Sequence, residues 1–196
     1  MIVASWNVNS LRSRLERVLG VLERHDPDVV CLQEIKCTEA QLPLEAFTEL
    51  GYHAVADGQP TYNGVAILAK SPLESVVRGL EGDPDDTQAR LVGATLPAFQ
   101  NVRVISAYVP NGGEVGSEKH AYKLAWLDRL HARLESEVAA HETLLLAGDF
   151  NCALDDADVA FPERWRGSVL CHPTVRERTQ ALIDDYELTD TTREFC

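Results

Sequence analysis

Polar side chains follow several apolar runs of this sequence, and their types could bind a metal ion and a phosphate. They are Asn7 and Asn9 after residues 2–6, Glu34 after 28–33, Tyr108 and Asn111 around the end of 102–109, and Asp149 and Asn151 after 144–147. A single such residue often ends a strand simply because Asn and Asp favour turns. Together, two carboxylates with amide oxygens nearby are hard ligands that suit Mg²⁺ or Mn²⁺ better than zinc. A phenol, an amide and a cation around one phosphate would stabilise the charge that develops during in-line displacement, so the set predicts metal-assisted phosphodiester hydrolysis.

The elements that must position these residues alternate between strands and helices in part and form hairpins in part. Strand-like runs cover residues 2–6, 28–33, 52–56, 64–69, 73–78, 90–96, 102–109 and 144–147. Helical spacing is present at 11–25, 42–50, 117–140 and 173–187, whereas 152–172 is irregular. This pattern predicts a mixed α/β sandwich of two sheets with helices outside. The polar residues then lie at carboxyl ends of buried strands, where α/β sheets favour ligand sites.

Length and composition are those of one domain spanning residues 1–196. A chain of 196 residues with 45% hydrophobic content buries one sizeable core, and neither a linker nor an internal repeat interrupts it. No apolar stretch is long enough to span a bilayer. The five cysteines form an odd set without a Cys-x-x-Cys pair, which favours a reduced, cytoplasmic protein.

The net charge of −13 argues against nucleic-acid binding, because Lys and Arg contacts to phosphates supply most non-specific affinity. A metal-dependent nuclease nevertheless needs only a local basic rim, and net charge says nothing about how charge is distributed. Cations available for such a rim are Arg12, Arg14, Arg90, Lys119 and Lys123. Trp6 and Trp126 are expected in the core. For Trp165, which lies between Arg164 and Arg166, core packing and base stacking stay open.

Five segments in order resemble the exonuclease III/apurinic-apyrimidinic (AP) endonuclease family. They are SWNVNSLR at 5–12, LQEIK at 32–36, GVAIL at 64–68, AYVPNG at 107–112 and AGDFN at 147–151. Segments YKLAW at 122–126 and LTDT at 188–191 are similar to further family segments. The resemblance implies an α/β fold of the deoxyribonuclease I-like type, a four-layer α/β/β/α sandwich. It also implies an Mg²⁺-dependent or Mn²⁺-dependent DNA repair phosphodiesterase with AP endonuclease and 3′–5′ exonuclease activity, a monomer that acts on double-stranded DNA with abasic sites or 3′ ends.

Residue roles follow from the same resemblance. Glu34 is similar to the family's principal metal ligand, with Asn7 and Asn9 beside it in the metal and phosphate network. Tyr108 matches the tyrosine that faces the scissile phosphate, and Asp149 the aspartate that orients or deprotonates the attacking water. The remaining matches are Asn151, which binds a phosphate oxygen, and Arg90 and Asn111, which align with contacts to the DNA backbone.

The sequence departs from the family pattern after Asp190. Family members continue into an aromatic DNA-binding stretch and a closing Asp-His pair, which are absent here, so the expected sandwich lacks its C-terminal closing strands and the chain could be inactive. One rival interpretation is therefore a non-catalytic DNA-binding remnant. Another is a phosphatase or phosphodiesterase of the same fold that acts on RNA, lipid or inositol phosphates.

Overall fold

The computed structural model describes residues 1–195 and confirms all eight predicted strands. The strands are β1 Val3–Asn7, β2 Val29–Gln33, β3 His53–Asp57, β4 Val65–Ala69, β5 Glu74–Arg78, β6 Leu91–Leu96, β7 Val102–Tyr108 and β8 Leu144–Asp149. The helices are α1 Leu15–His25, α2 Leu44–Glu49, α3 Glu118–Ala140, α4 Pro173–Asp184 and α5 Thr191–Phe195, and α5 lies outside the predicted helical segments. The irregular segment 152–172 contains three short 3₁₀ turns. None of the helices in these residues is both long and apolar enough to cross a membrane.

Residue contacts divide the chain into two compact units. Unit 1 consists of Met1–Tyr108 and His141–Asp149, and unit 2 of Val109–Ala140 together with the residues from Phe150 onward. The expectation of one domain over residues 1–196 stays a prediction.

Unit 1 contains two four-stranded sheets. Their strand orders are β1-β2-β4-β3 and β5-β6-β7-β8. Each sheet has one parallel pair, β1 with β2 and β7 with β8, and the other neighbours are antiparallel. Parallel strands end at the same edge of a sheet, so each sheet presents two carboxyl ends side by side.

The two sheets of unit 1 share an apolar core. Its buried members come from both sheets: Val29, Cys31, Val65, Ile67 and Ala69 from the first, and Val92, Ala94, Leu96, Val102 and Val104 from the second. A second cluster joins the first sheet to α1 and α2, and it includes Val18, Leu22 and Phe47. Trp6 is partly buried against this cluster. Strands β2 and β4 are buried along their whole length, which explains their continuous apolar runs.

Unit 2 is built around α3 and α4, which contact each other. The buried face of α3 includes Trp126, Leu127, Leu130 and Leu134, so the expectation of a core position for Trp126 is confirmed. The spacing of these residues is that of one helix face.

Candidate active site

The parallel strand pairs of unit 1 bring together four of the predicted site residues. In the first sheet, Asn7 is the last residue of β1 and pairs in register with Gln33, so Glu34 follows directly at the same edge. In the second sheet, Tyr108 and Asp149 end β7 and β8 and pair with each other. Strand β1 also contacts β8, and β2 contacts β7. The two carboxyl edges therefore meet across the sandwich.

Direct hydrogen bonds interlock these four side chains. The Asn7 Nδ2 amide donates to Glu34 Oε1 and to Asp149 Oδ2, both at 2.8 Å. The Tyr108 hydroxyl donates to the same Glu34 Oε1 at 2.9 Å. Two carboxylates from different sheets thus lie within hydrogen-bonding reach of a single nitrogen atom. The Asn7 Oδ1 atom faces the other way and accepts from the backbone N–H of Asn9 at 3.0 Å.

The backbone at Glu34 is held in an unusual conformation. Glu34 has φ 52° and Lys36 has φ 53°, in the left-handed region that residues other than Gly, Asn and Asp rarely adopt. Main-chain hydrogen bonds secure this turn on two sides: Ser10 N to Glu34 O at 2.7 Å and Ile35 N to Gly64 O at 3.1 Å. Strain that the surroundings hold in place in this way is typical of functional sites.

Lys36 supplies a positive charge next to Glu34. Its ammonium lies 2.9 Å from Glu34 Oε2 and also donates to Asn9 Oδ1. Burial opposes the ionisation of Glu34, but hydrogen bonds outweigh it, first from Asn7 and then from Lys36 and Tyr108, so the pKa of Glu34 is below its ordinary value. Glu34 is therefore an anion at neutral pH, although only 20% of its side chain is exposed.

Tyr108 is kept as a neutral phenol. Burial, followed by the hydrogen bond to Glu34, raises its pKa to about 12, although the Arg90 charge acts in the opposite direction. The Arg90 guanidinium lies 4.8 Å from the centre of the Tyr108 ring and donates to the Tyr108 carbonyl at 3.2 Å. Its Nε donates to Gln88 Oε1 at 3.0 Å, and only 9% of the residue is exposed. Arg90 thus packs against Tyr108, and its predicted contact with the DNA backbone stays a prediction.

Gln33, the residue before Glu34, makes a polar contact between the two sheets. Gln33 is 1% exposed, and its Nε2 lies 3.2 Å from Ser106 Oγ in β7 and 3.3 Å from Ser5 Oγ in β1. Since Gln33 directly precedes Glu34, these bonds fix the end of β2 against the second sheet. Gly148 fixes β8 in another way: a Cβ atom there would lie 2.1 Å from the Ala107 carbonyl oxygen, so a side chain would separate β7 from β8 just before Asp149.

The two remaining predicted site residues, Asn111 and Asn151, belong to unit 2. The Asn151 Nδ2 amide donates to the Val109 carbonyl at 2.9 Å, and Asn111 Oδ1 accepts from Gly113 N at 3.2 Å. Lys123 ties the two segments together, because its ammonium donates to the carbonyls of Pro110 at 2.9 Å and Asn151 at 2.7 Å. Lys123 is 0% exposed. The expectation of a surface cation is wrong for Lys123, because main-chain carbonyls bind the charge in the interior.

Comparison with known proteins decides the family. The profile of the endonuclease/exonuclease/phosphatase family matches residues 4–195. This chain belongs to the endonuclease/exonuclease/phosphatase family. Exodeoxyribonuclease III of Haemophilus influenzae is 33% identical over 198 residues, which cover 97% of this chain and 74% of that protein. The predicted resemblance to exonuclease III and AP endonucleases is thereby confirmed.

Solved structures of the family have the same fold. The 3′ phosphatase NExo from Neisseria, bound to a product DNA hairpin, is 40% identical with a TM-score of 0.94, covering 99% of this chain and 74% of that chain. An AP endonuclease from Archaeoglobus fulgidus is 36% identical with a TM-score of 0.87, covering 94% of this chain and 70% of that chain. The predicted fold class, mixed α/β with two sheets of the deoxyribonuclease I-like type, is confirmed.

Enzymes of this family depend on divalent metal ions, and the donor atoms at the site fit such an ion. The described residues contain no group of three or more His, Cys, Asp and Glu side chains that could hold a metal, so a zinc cage is absent from that part of the chain. The site instead offers the carboxylates of Glu34 and Asp149, with the amide of Asn9 close to Lys36. One or two carboxylates with several retained waters are the usual protein environment of Mg²⁺.

The spacing of some residues that shape the site indicates their position, although the sequence analysis did not predict it. Lys123 stands four residues before Leu127 and seven before Leu130, and therefore on the apolar face of α3. Gln33 interrupts an otherwise apolar run in β2. Lys36 lies two residues after Glu34 in the LQEIK segment, but its contact with Glu34 depends on the left-handed turn, which no sequence pattern predicts.

Proposed function

We propose that this chain is a metal-dependent DNA phosphodiesterase of base excision repair, with AP endonuclease and 3′–5′ exonuclease activity. The observation that carries the proposal is the hydrogen-bonded set of Asn7, Glu34, Tyr108 and Asp149. It combines a carboxylate that can hold a cation, a second that can accept a proton and a phenol that can donate one hydrogen bond. These groups are what hydrolysis of a phosphodiester needs.

The divalent ion would be held by Glu34, with Asn7 and Asn9 beside it, and we propose Mg²⁺, with Mn²⁺ as a substitute. When bound, the ion neutralises negative charge on the phosphate oxygens. The Lys36 ammonium already neutralises Glu34. We assign Asn7 mainly to holding Glu34 and Asp149 in place, because its Nδ2 faces both carboxylates while its Oδ1 is bound by Asn9 N–H.

Asp149 acts on the attacking water. Its Oδ2 is fixed by Asn7 at 2.8 Å and can accept the proton that the water loses as its oxygen bonds to phosphorus and the bond to the leaving oxygen breaks. Tyr108 keeps its proton at neutral pH, since its pKa is raised to about 12, and it can donate to a phosphate oxygen as charge develops. We propose that Arg90 contributes positive charge to the site of unit 1. For unit 2, taken by itself, we propose that Asn151 and Asn111 bind phosphate oxygens.

The choice of DNA rests on relatives. Their names give exodeoxyribonuclease III, a 3′ phosphatase with a DNA hairpin and an AP endonuclease, at 33–40% identity. We therefore propose double-stranded DNA with abasic sites or 3′ ends as the substrate. A monomeric state and a cytoplasmic location stay predictions.

Cleavage of a substrate panel tests this proposal. The chain would be incubated with an abasic-site duplex, a single-stranded RNA and an inositol polyphosphate, each with Mg²⁺ and with EDTA. The proposal predicts Mg²⁺-dependent incision of the abasic duplex and little turnover of the others. Turnover of RNA or inositol phosphate alone would instead identify the phosphatase rival. Retention on DNA without metal-dependent turnover would identify a DNA-binding remnant.

A further inference from the structure

Unit 2 exposes two aromatic rings and two arginines within six residues of each other. Phe161 is 59% exposed and Trp165 is 40% exposed, and both are large apolar side chains that a folded protein normally covers. Arg164 and Arg166 flank Trp165 and are also exposed. We call Phe161, Arg164, Trp165 and Arg166 the arginine–aromatic patch.

The backbone holds the patch in a fixed arrangement. Residues Pro162–Arg164 form a 3₁₀ turn, with Arg164 N bonded to Phe161 O at 2.9 Å and Trp165 N bonded to Pro162 O at 3.0 Å. Ser168 N continues the series to Trp165 O at 3.0 Å. The Arg164 guanidinium lies over the Phe161 ring, 4.6 Å from its centre. One face of that ring is thus covered by a cation, while much of the residue stays exposed.

The arginines of the patch are available to an anion. Two acidic residues of the same segment are engaged elsewhere: Asp156 pairs with Arg176 at 2.8 Å and Asp158 with Arg193 at 2.6 Å. Within residues 1–195, no carboxylate lies at salt-bridge distance from Arg164 or Arg166. What distinguishes this arginine pair in a chain with a net charge of −13 is that two exposed aromatic rings adjoin it.

We infer that the arginine–aromatic patch binds single-stranded DNA, with its two rings stacked on unpaired bases and its arginines on the adjoining phosphates. The inference deepens the proposed function, on which the identity of the ligand as DNA rests. Flat exposed rings match base faces, which are open to a protein only in unpaired nucleotides. Guanidinium groups match phosphates in geometry and charge. An acidic peptide would satisfy the arginines but would leave both rings without a matching surface.

Binding in EDTA tests the patch without any turnover. The ligands are a blunt DNA duplex and the same duplex with a short single-stranded extension, and the readouts are affinity and tryptophan fluorescence. We expect the extension to quench Trp165, since Trp126 is buried and Trp6 is partly buried. Phe161→Ala and Trp165→Ala should each weaken binding of the extended duplex about tenfold and leave blunt-duplex binding unchanged.

Further variants separate charge from stacking. The affinity for the extended duplex should fall with salt, and the slope of log affinity against log salt concentration reports the number of phosphate contacts. Arg164→Gln should reduce the magnitude of that slope by about 0.7, whereas Arg164→Lys should leave it unchanged. Leu44→Ala, at an exposed apolar side chain of unit 1, is the matched control and should change nothing. Circular dichroism of each variant identifies any loss of folding.

The inference is overturned if the extension adds no affinity, or if folded Phe161→Ala and Trp165→Ala proteins bind it like wild type. Mg²⁺-dependent incision of an abasic duplex by the same preparations reports the proposed function separately. If the extension adds no affinity but the abasic duplex is incised, only the inference about the patch is refuted. If the extension adds affinity but the abasic duplex is not incised, only the proposed function is refuted.

Discussion

Replacing Asn7 by Asp should destabilise the metal-free protein and increase its dependence on divalent cations. The substitution keeps the shape of the side chain but removes the two hydrogen bonds of 2.8 Å from Nδ2 to Glu34 and Asp149. It also adds a third negative charge beside two carboxylates. Hydrogen bonds to charged groups contribute about 1.5–3 kcal/mol each, and partial exposure of the site lowers that value. We therefore expect a loss of about 3 kcal/mol, or about 6–12 °C in Tm for a chain of this size.

The assay is thermal unfolding of wild type, Asn7→Asp and Asn7→Ala in EDTA and in Mg²⁺. A cation that binds only the folded protein stabilises it, by about 2.7 kcal/mol at a hundred times its Kd. Because a third carboxylate strengthens cation binding, Mg²⁺ should reduce the deficit of Asn7→Asp in particular. Asn7→Ala loses the hydrogen bonds without gaining a charge, so Mg²⁺ should leave its deficit unchanged.

The pH dependence gives a second test of the same reasoning. The pKa of Glu34 is lowered in the folded protein, so its contribution to stability is present above the unfolded pKa and is lost as pH falls through the folded pKa. Asn7→Asp removes the hydrogen bond that lowers this pKa most, and the deficit should therefore shrink in acid. An Asn7→Asp protein as stable as wild type in EDTA at neutral pH would show that the Asn7 amide does not stabilise the two carboxylates. A deficit that Mg²⁺ leaves unchanged would show that the added carboxylate does not strengthen cation binding.

Three further changes probe other parts of the fold and the site. Tyr108→Phe should lower kcat for abasic-site incision about a hundredfold and lower Tm by about 3–6 °C, because one hydrogen bond to the charged Glu34 is lost; unchanged kcat would exclude Tyr108 from the chemistry. Lys123→Met should lower the free energy of unfolding in urea by about 2–4 kcal/mol, since it leaves buried carbonyls without a donor; a neutral result would show that water replaces the ammonium. Gly148→Ala should lower the free energy of unfolding by about 2–3 kcal/mol, because the added methyl group separates β7 from β8. Gly20→Ala is the control, since a Cβ atom there meets nothing within 4 Å. Equal Tm values for the two variants would contradict the close approach of Gly148 to Ala107.

The parts of the structure that follow simple patterns could be predicted from sequence. Nearly continuous apolar runs such as 28–33 and 64–69 are covered strands, and Leu127, Leu130 and Leu134, at helical spacing, lie on the buried face of α3. Placing Asn7 and Asp149 at strand ends required only the observation that each follows such a run. That the ends of β1 and β8 meet across two sheets required the resemblance, because strand order is not visible in local patterns.

Contacts that depend on one unusual backbone angle or on one buried charge could not be predicted from the sequence. The position of Glu34 relies on its φ of 52° and on bonds from the 8–11 segment and Gly64. The prediction of Lys123 as a rim cation places it at the surface, yet it is buried, and two carbonyls compensate its desolvation. Helix α5 is five residues long, too short to give a periodic signal.

We propose that Glu34 and Asp149 form the catalytic site of a metal-dependent DNA phosphodiesterase. The most direct measurement compares single-turnover incision of an abasic-site duplex in Mg²⁺ by wild type, Glu34→Gln and Asp149→Asn, with DNA affinity in EDTA measured on the same samples. We expect both variants to lose at least about a thousandfold in rate and to keep wild-type affinity for DNA. Incision by either variant at the wild-type rate would show that its carboxylate is not catalytic, and a wild-type chain that binds the duplex and never cuts it in Mg²⁺ would show that the chain is not a phosphodiesterase.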